Sequence, residues 1–134
     1  MNRGISAAIP MLAVHNAKNA IEFYKNVFRA DEVTRMVNSE GKVEHSEIKV
    51  GNARIMIADE FLGHNHAAKS LGGTPVIIYL YIDNVDDVVE RAVSLGAISL
   101  RPIQELPNGD RVGKIEDPFE HVWMVATPRK NVEQ

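Results

Sequence analysis

Two stretches of the chain share one pattern of hydrophobic and polar positions. In each, an apolar run is followed by an Asn and then by apolar residues at helical spacing, over residues 8–30 and 76–97. Asn16 and Asn84 stand at corresponding places, 68 residues apart, where an Asn is a favourable helix N-cap. Apolar spacing of two and then of 3–4 residues indicates a strand followed by an amphipathic helix. The pattern therefore predicts one strand-helix unit in each half.

The segments after each helix also correspond between the two halves. Short apolar or β-branched runs, separated by turn residues such as Gly-Asn and Pro-Asn-Gly-Asp, predict three more strands per half. In the first half they span 32–37, 42–50 and 53–58, and in the second half 98–101, 111–116 and 121–126. Each half is thus predicted as β-α-β-β-β, and we interpret the repeat as a duplication, with chance similarity of two α+β units as the alternative.

The predicted organisation is one domain over residues 1–134. The first module spans 5–60, the linker 61–75 and the second module 76–128. The linker contains Gly72, Gly73 and Pro75, which favour an irregular connection, and its HAAKSL segment has room for one helical turn.

Composition narrows the function classes. The 134 residues are 45% hydrophobic and 25% charged, which is typical of a globular domain, and the net charge is −3 without a basic block. Nucleic acid and an anionic membrane are therefore not expected as partners. The chain has no apolar run long enough to span a bilayer, and its first apolar run is interpreted as a strand rather than a signal peptide. Because there are no cysteines, no disulfide framework is expected, and a cytoplasmic location is the default expectation.

Two motifs resemble a known family. AIEFYKNVFRA after the first strand and GDRVGKIEDPFEHVW near the end are similar to motifs of the vicinal oxygen chelate superfamily, which includes glyoxalases, bleomycin resistance proteins and extradiol dioxygenases, and most of all to its PhnB-like branch. The resemblance implies an α+β fold of tandem βαβββ modules that form cup-shaped, eight-stranded mixed sheets with helices outside, often across a homodimer. Arg29 and Glu120 depart from the family, which usually has Gly there. Because such Gly positions often need positive φ, we expect strained or differently shaped turns.

The resemblance also locates the four strand positions that hold a metal in metal-dependent members. They fall on Ile9, Met56, Ile77 and Met124. Ile has no donor atom, and the thioether of Met suits soft ions rather than the ions of these enzymes. We therefore expect no metal and no cofactor. The sequence leaves open whether these side chains are core or line an apolar pocket for a ligand, for which Met is well suited.

Strand alternation extends the list of candidate ligand-binding residues. Met11 shares a face with Ile9, and Tyr79 and Tyr81 share a face with Ile77, where their rings could stack on a ligand or instead fill the cup or a dimer contact. Arg111 could fork onto an anionic group of the ligand or form a salt bridge with Asp110, Glu116 or Asp117. The candidate ligand-binding residues are Ile9, Met11, Met56, Ile77, Tyr79, Tyr81, Arg111 and Met124.

The five histidines give only weak evidence of catalysis. His45 and Glu47 lie on one face of a predicted strand and are the candidates for acid–base chemistry, with a half-exposed strand His as the alternative. His64 and His66 of the linker and His15 are interpreted as solvent-exposed. His121 is interpreted as a turn-anchoring hydrogen-bond partner.

These observations favour a metal-free homodimer that sequesters a small apolar or aromatic molecule in its cup. One alternative is a lyase, isomerase or dioxygenase-type enzyme that uses acid–base residues, or a metal held by displaced ligands drawn from His45, Glu47, Asp59 and Glu60. Another is a protein-interaction dimer whose cup is filled by core side chains. The identity of the ligand is left open.

Overall fold

The computed structural model describes residues 4–129, and both halves follow the predicted order of strands and helix. A single turn of helix, α2, lies in the linker, where the sequence left room for one. The elements are β1 Met11–Val14, α1 Ala17–Phe28, β2 Asp31–Val37, β3 Val43–Val50, β4 Ala53–Asp59, α2 Ala68–Leu71, β5 Ile77–Tyr81, α3 Val85–Ser94, β6 Ile98–Glu105, β7 Arg111–Glu116 and β8 Val122–Thr127.

The eight strands form two four-stranded mixed sheets of identical topology. The first sheet has the order β1-β4-β3-β2 and the second has the order β5-β8-β7-β6. In each sheet the first strand runs parallel to its neighbour and the other pairs are antiparallel. Met11 is paired with Met56, and Tyr79 is paired with Met124. The α+β class and the tandem modules are therefore confirmed, and one chain by itself presents two separate four-stranded sheets.

The core lies between the sheets and the two long helices. Strand alternation turns Leu12, Ile57 and Trp123 toward the helices, where each is buried. Rings from both halves meet there, because Phe28 of α1 lies 4.8 Å from Trp123 between ring centroids. The two halves thus share one hydrophobic core.

The two helices begin in different ways. Asn16 caps α1 as predicted, since its side-chain oxygen accepts a hydrogen bond from Asn19 N at 3.0 Å. Asn84 occupies the predicted N-cap position of α3, but its side chain makes no capping hydrogen bond. Asn84 has a left-handed φ of 60°, and the first amide of the helix, Val85 N, donates instead to Thr127 Oγ1 at 2.8 Å. A residue 42 positions away in sequence therefore does the capping.

Of the two expectations for the turns at Arg29 and Glu120, the structure shows strain rather than a different shape. Arg29 at the end of α1 has φ 56° and Glu120 in the turn before β8 has φ 67°, both in the region that favours Gly. These turns keep the left-handed conformation although a larger residue occupies each. No helix among residues 4–129 is both long and apolar enough to span a membrane.

Candidate functional site

Each sheet has one face turned away from the helices, which we call the open face. On the first sheet, register and alternation place Met11, Met56, Glu47 and Thr34 in one row across the four strands of this face. Met11 is 56% exposed, whereas Leu12, its neighbour toward the helices, is buried. The predicted site residues Met11 and Met56 are therefore side by side and face outward from the core.

The open face of the second sheet carries the predicted tyrosines. Ile77, Tyr79 and Tyr81 are all exposed, and Met124 is paired with Tyr79 across the parallel strands. The rings of Tyr79 and Tyr81 are 5.3 Å apart between centroids and inclined at 44°. The two rings form a continuous aromatic surface against which a flat molecule can stack.

One ion pair lies within the apolar surface of the first open face. Arg54 donates to Glu47 through Nε at 2.5 Å and through Nη2 at 3.0 Å. The hydrogen bonds from Arg54 lower the pKa of Glu47, and the charges of Arg54, His45 and Lys49 add to this effect. Glu47 is therefore a carboxylate with little basicity at neutral pH, which argues against it as a general base. Its neighbour on the same face, His45, is the other predicted acid–base residue.

One hydroxyl on the second open face has a carboxylate partner. Tyr81 Oη lies 3.3 Å from Asp110 Oδ2, and Asp110 itself is buried. Desolvation, followed by the negative charge of Asp110, raises the pKa of Tyr81. The phenol therefore stays protonated and can donate a hydrogen bond to a ligand or to Asp110. It does not readily transfer its proton at neutral pH, so it is a poor general acid.

The clefts of the molecule bring several predicted residues together. Ile9 and Tyr79, from different halves, line one cleft of about 300 Å³, which also includes Arg54. Met11 lines a second cleft of about 460 Å³, beneath the linker residues Phe61 and His64. Residues of both halves thus line the first cleft, next to β1 and β5, whereas the second cleft belongs to the first half and the linker.

Arg111 is not part of this arrangement. Its parity along β7 matches that of Gly113 and Ile115, which face the helices, so Arg111 lies on the opposite side of the sheet from Tyr79. Its guanidinium forks onto Asp86 of α3, with Nε to Oδ1 at 2.9 Å and Nη2 to Oδ2 at 3.1 Å. A salt bridge was the alternative interpretation of this residue, although with Asp110, Glu116 or Asp117 as partner.

Two of the proposed displaced metal ligands, Asp59 and Glu60, are engaged in structural contacts. Asp59 accepts hydrogen bonds from Ala17 N and Val43 N, and Glu60 accepts from Ala67 N and Ser70 Oγ. Within residues 4–129, no group of three or more His, Asp or Glu side chains is arranged to hold a metal ion. Ile9, Met56, Ile77 and Met124 supply no oxygen or nitrogen side-chain donor. The absence of a bound metal remains a prediction.

The remaining histidines serve the fold or face solvent. His121 Nε2 lies 3.0 Å from the carbonyl oxygen of Ala13, which ties the turn before β8 to the first half. His15 is exposed, and its Nε2 contacts Ser70 Oγ at 2.8 Å and Glu60 Oε1 at 3.3 Å. His64 and His66 are exposed.

Sequence reasoning missed Arg54, the residue that most changes the chemistry of the open face. The sequence did contain evidence for its position. The Gly-Asn turn sets the register of the β3–β4 hairpin, with Val50 opposite Ala53. That register places Glu47 diagonally across from Arg54 on the same face.

Comparisons with known proteins agree with this architecture. A model of the Glyoxalase/Bleomycin resistance protein/Dioxygenase superfamily matches residues 7–125. The protein Mb0911c of Mycobacterium bovis is 35% identical over 130 residues, which cover 94% of this chain and 86% of that protein.

Two solved structures have the same fold at low sequence identity. A Bacillus cereus structure, described as a putative 3-demethylubiquinone-9 3-methyltransferase and PhnB protein, has a TM-score of 0.71 and 17% identity, covering 91% of this chain and 99% of that chain. The fosfomycin resistance protein FosX of Listeria monocytogenes has a TM-score of 0.69 and 19% identity, covering 99% of this chain and 98% of that chain.

Proposed function

Because the chain belongs to the Glyoxalase/Bleomycin resistance protein/Dioxygenase superfamily, we propose that it binds a small apolar or aromatic molecule on its open faces without using a metal. The observation that carries the proposal is the placement of Met11 beside Met56 and of Tyr79 beside Met124, facing away from the core. Flexible thioethers and aromatic rings adapt well to apolar ligands.

The apolar character of the open faces supports a binding role over a purely structural one. Large apolar side chains on these faces remain 44–57% exposed in the single chain. An exposed apolar surface of this kind commonly marks a ligand or protein contact. The residues concerned are Met11, Met36, Ile77, Tyr79, Tyr81 and Ile98.

A second copy of the chain would complete the pocket. Two open faces that pack toward each other would bury these side chains and leave a cup between them, which gives a ligand more enclosure than one exposed sheet can. We therefore include a homodimer in the proposed function. The Glu47–Arg54 pair provides a polar group at the wall of such a cup, where it can orient a ligand without proton transfer.

An acid–base enzyme is the second candidate. His45 favours it, because this side chain lies on the same open face as Met11 and Met56. The ion pair of Glu47 with Arg54 argues against a cooperating general base at that position.

A neutral fluorescent probe, N-phenyl-1-naphthylamine, tests the binding proposal. We expect saturable binding that Tyr79→Ala weakens about tenfold, since the loss of one aromatic contact is worth about 1.4 kcal/mol. Val93→Ala is the matched control, because Val93 is equally exposed, at 45%, but lies on α3. Equal affinities of the two variants would contradict the proposed location.

Elemental mass spectrometry tests the metal-free part of the proposal. The protein is incubated with Mn, Fe, Ni, Cu or Zn ions and then desalted. We expect less than about a tenth of an equivalent per chain. One tightly bound equivalent that is lost in the His45→Ala variant would overturn the proposal in favour of a metalloenzyme with displaced ligands.

A further inference from the structure

A separate cleft of about 490 Å³ lies where the two halves meet on the side of the helix ends. It lies between the end of α1, the β3–β4 turn, the end of β5 and α3. Its charged residues are Arg29, Arg91 and Asp83, so two cations and one carboxylate line it. The rest of the wall is largely apolar and consists of Phe28, Val50, Tyr81, Ile82, Val88 and Pro128, with Gly51 at the turn.

Arg91 is the first of two residues that point to a ligand in this cleft. Its Nη2 donates to the carbonyl oxygen of Val27 at 2.8 Å, across the boundary between the halves. Its Nε is buried, and it is the one buried side-chain nitrogen or oxygen in residues 4–129 that has no hydrogen-bond partner. A guanidinium has five N–H donors, and leaving a buried one without an acceptor is costly. Arg91 lines the cleft, and an anion there would supply acceptors to the N–H groups of this guanidinium that are not buried and would offset its charge.

Arg29 is the second residue and comes from the other half. It ends α1 with φ 56°, a conformation that strains any residue with a side chain. Its guanidinium forms no ion pair with any part of the chain that the structure describes. A strained position that carries an unpaired charge beside a cleft is better explained by a ligand than by stability, since Gly would fit this turn without strain.

We propose that this cleft binds a small organic anion, a carboxylate attached to an apolar or aromatic body. Arg29 and Arg91 hold the carboxylate, for which the planar guanidinium is geometrically suited. Tyr81, Ile82 and Pro128, the apolar residues of the wall that are not buried, pack against the body of the ligand. Asp83 opposes a second negative charge, so a monoanion is favoured over a dianion. Of the residues that line this cleft, Tyr81 alone lies on an open face, so the cleft adjoins the apolar cup while Arg29 and Arg91 lie outside it.

The probe pair 2-naphthoate and 2-naphthamide tests the proposal, because the two molecules share their body and differ in charge. We expect 2-naphthoate to bind at least about tenfold more tightly, as charge-assisted hydrogen bonds to two arginines require. In ¹⁵N correlation spectra, the amide signals of Arg29, Gly51 and Arg91 should shift, whereas that of Met56 should not. Equal binding of the two probes, no saturable binding of 2-naphthoate, or shifts confined to the open faces would overturn the proposal.

Arg29→Gly is the decisive variant. It removes one charge and relieves the left-handed strain, so we expect the Tm to rise by about 3 °C while the affinity for 2-naphthoate falls about tenfold. Loss of binding in a stabilised protein cannot be attributed to misfolding. Lys18→Gln is the control, because it also removes one positive charge but alters an exposed side chain of α1 outside the cleft. Unchanged affinity in Arg29→Gly, or an equal loss in Lys18→Gln, would contradict the assignment.

Inorganic phosphate and the neutral probe separate this site from the proposed cup. Phosphate should compete weakly with 2-naphthoate, since it lacks the apolar body; competition as strong as that of 2-naphthoate itself would overturn the stated ligand class. Binding of N-phenyl-1-naphthylamine should be unchanged in Arg29→Gly. These measurements can therefore refute either proposal without refuting the other.

Discussion

The hydroxyl of Tyr24 donates a hydrogen bond to Oδ2 of Asp117, although the two residues are 93 positions apart in the sequence. The same carboxylate oxygen accepts from Trp123 Nε1 at 2.9 Å, and Oδ1 accepts from the backbone amides of Phe119 and His121. One buried carboxylate therefore fixes the turn before β8 and joins α1 of the first half to the second half. Burial, and then the negative charge of Asp117, raise the pKa of Tyr24 well above its usual value.

Replacing Asp117 with Asn should destabilise the protein strongly. The Asn amide would have to turn its NH₂ group toward two donors or toward two backbone amides, because all four groups around Asp117 are donors. We expect Asp117→Asn to lower the free energy of unfolding by about 2–4 kcal/mol, measured by urea denaturation. Tyr24→Phe removes one donor only and should cost about 1–2 kcal/mol. A loss below about 0.5 kcal/mol in Asp117→Asn would show that the network contributes little to stability.

The pH dependence of stability should reveal the Glu47–Arg54 pair. The hydrogen bonds from Arg54 lower the pKa of Glu47 below its usual value of 4.5 in the folded state. A lowered folded-state pKa stabilises the protein above the unfolded-state pKa, and this contribution is lost as the pH falls through the folded-state value. In Arg54→Met, we therefore expect a loss of stability at pH 7 that diminishes as the pH falls below 4.5 and through the lowered pKa of Glu47.

Carboxyl ¹³C chemical shifts measure the same effect directly. The pKa of Glu47 should rise in Arg54→Met, because its largest lowering interaction is gone. Arg101→Met is the matched control, since Arg101 is exposed on β6 and forms no ion pair in the part of the chain that the structure describes. An unchanged Glu47 pKa in Arg54→Met would mean that the ion pair does not persist in solution.

Glu120→Gly should stabilise the protein, because Glu120 holds φ 67° in the turn that precedes β8. Gly adopts this conformation without steric cost, so we expect a gain of about 0.5–1 kcal/mol in the free energy of unfolding. Glu40→Gly is the control: Glu40 also lies in an exposed turn but has no positive φ, so the extra freedom of its unfolded chain should make the substitution neutral or destabilising. Differential scanning calorimetry measures both. A destabilised Glu120→Gly variant would show that the Glu120 side chain makes a contribution larger than the strain.

Local patterns predicted most of the fold, and the exceptions have identifiable causes. The repeated order of elements could be predicted from the sequence, because the spacing of apolar residues indicates the buried face of each strand and helix. β6 runs to Glu105 rather than ending near Arg101, because it is an edge strand, where Pro102 does not break the sheet. The capping of α3 by Thr127 could not be predicted from the sequence, because the hydrogen bond joins two residues that only the folded sheet brings together.

The candidate site was less predictable than the fold for the same reason. Alternation placed Met11, Met56, Tyr79 and Tyr81 on outward faces, because it depends only on neighbours within one strand. Alternation also assigns Arg111 to the helix side, the side of Gly113, but its partner Asp86 lies on another element. The cleft of Arg29 and Arg91 requires the relative position of the two halves, which no local pattern encodes.

The proposed homodimer makes a prediction for residues at the outer strands of the open faces. Met36 on β2 and Ile98 on β6 are 56% and 57% exposed and are paired with His45 and Glu116 on those faces. The double variant Met36→Lys, Ile98→Lys would place two charges in the buried contact, where each must lose its hydration, so we expect dissociation to a monomer in sedimentation velocity.

A control variant with the same two added charges on the helix side tests whether added charge alone dissociates the dimer. Val93→Lys, Leu95→Lys adds the same two charges at positions that are 45% and 48% exposed, at the end of α3 rather than on an open face. This variant should sediment as the wild-type dimer does. If the wild-type chain is a monomer, or if both double variants remain dimeric, the open faces are not the contact between copies. The apolar side chains of each sheet must then be covered by a ligand or by a different partner, because an uncovered surface of this kind would favour aggregation.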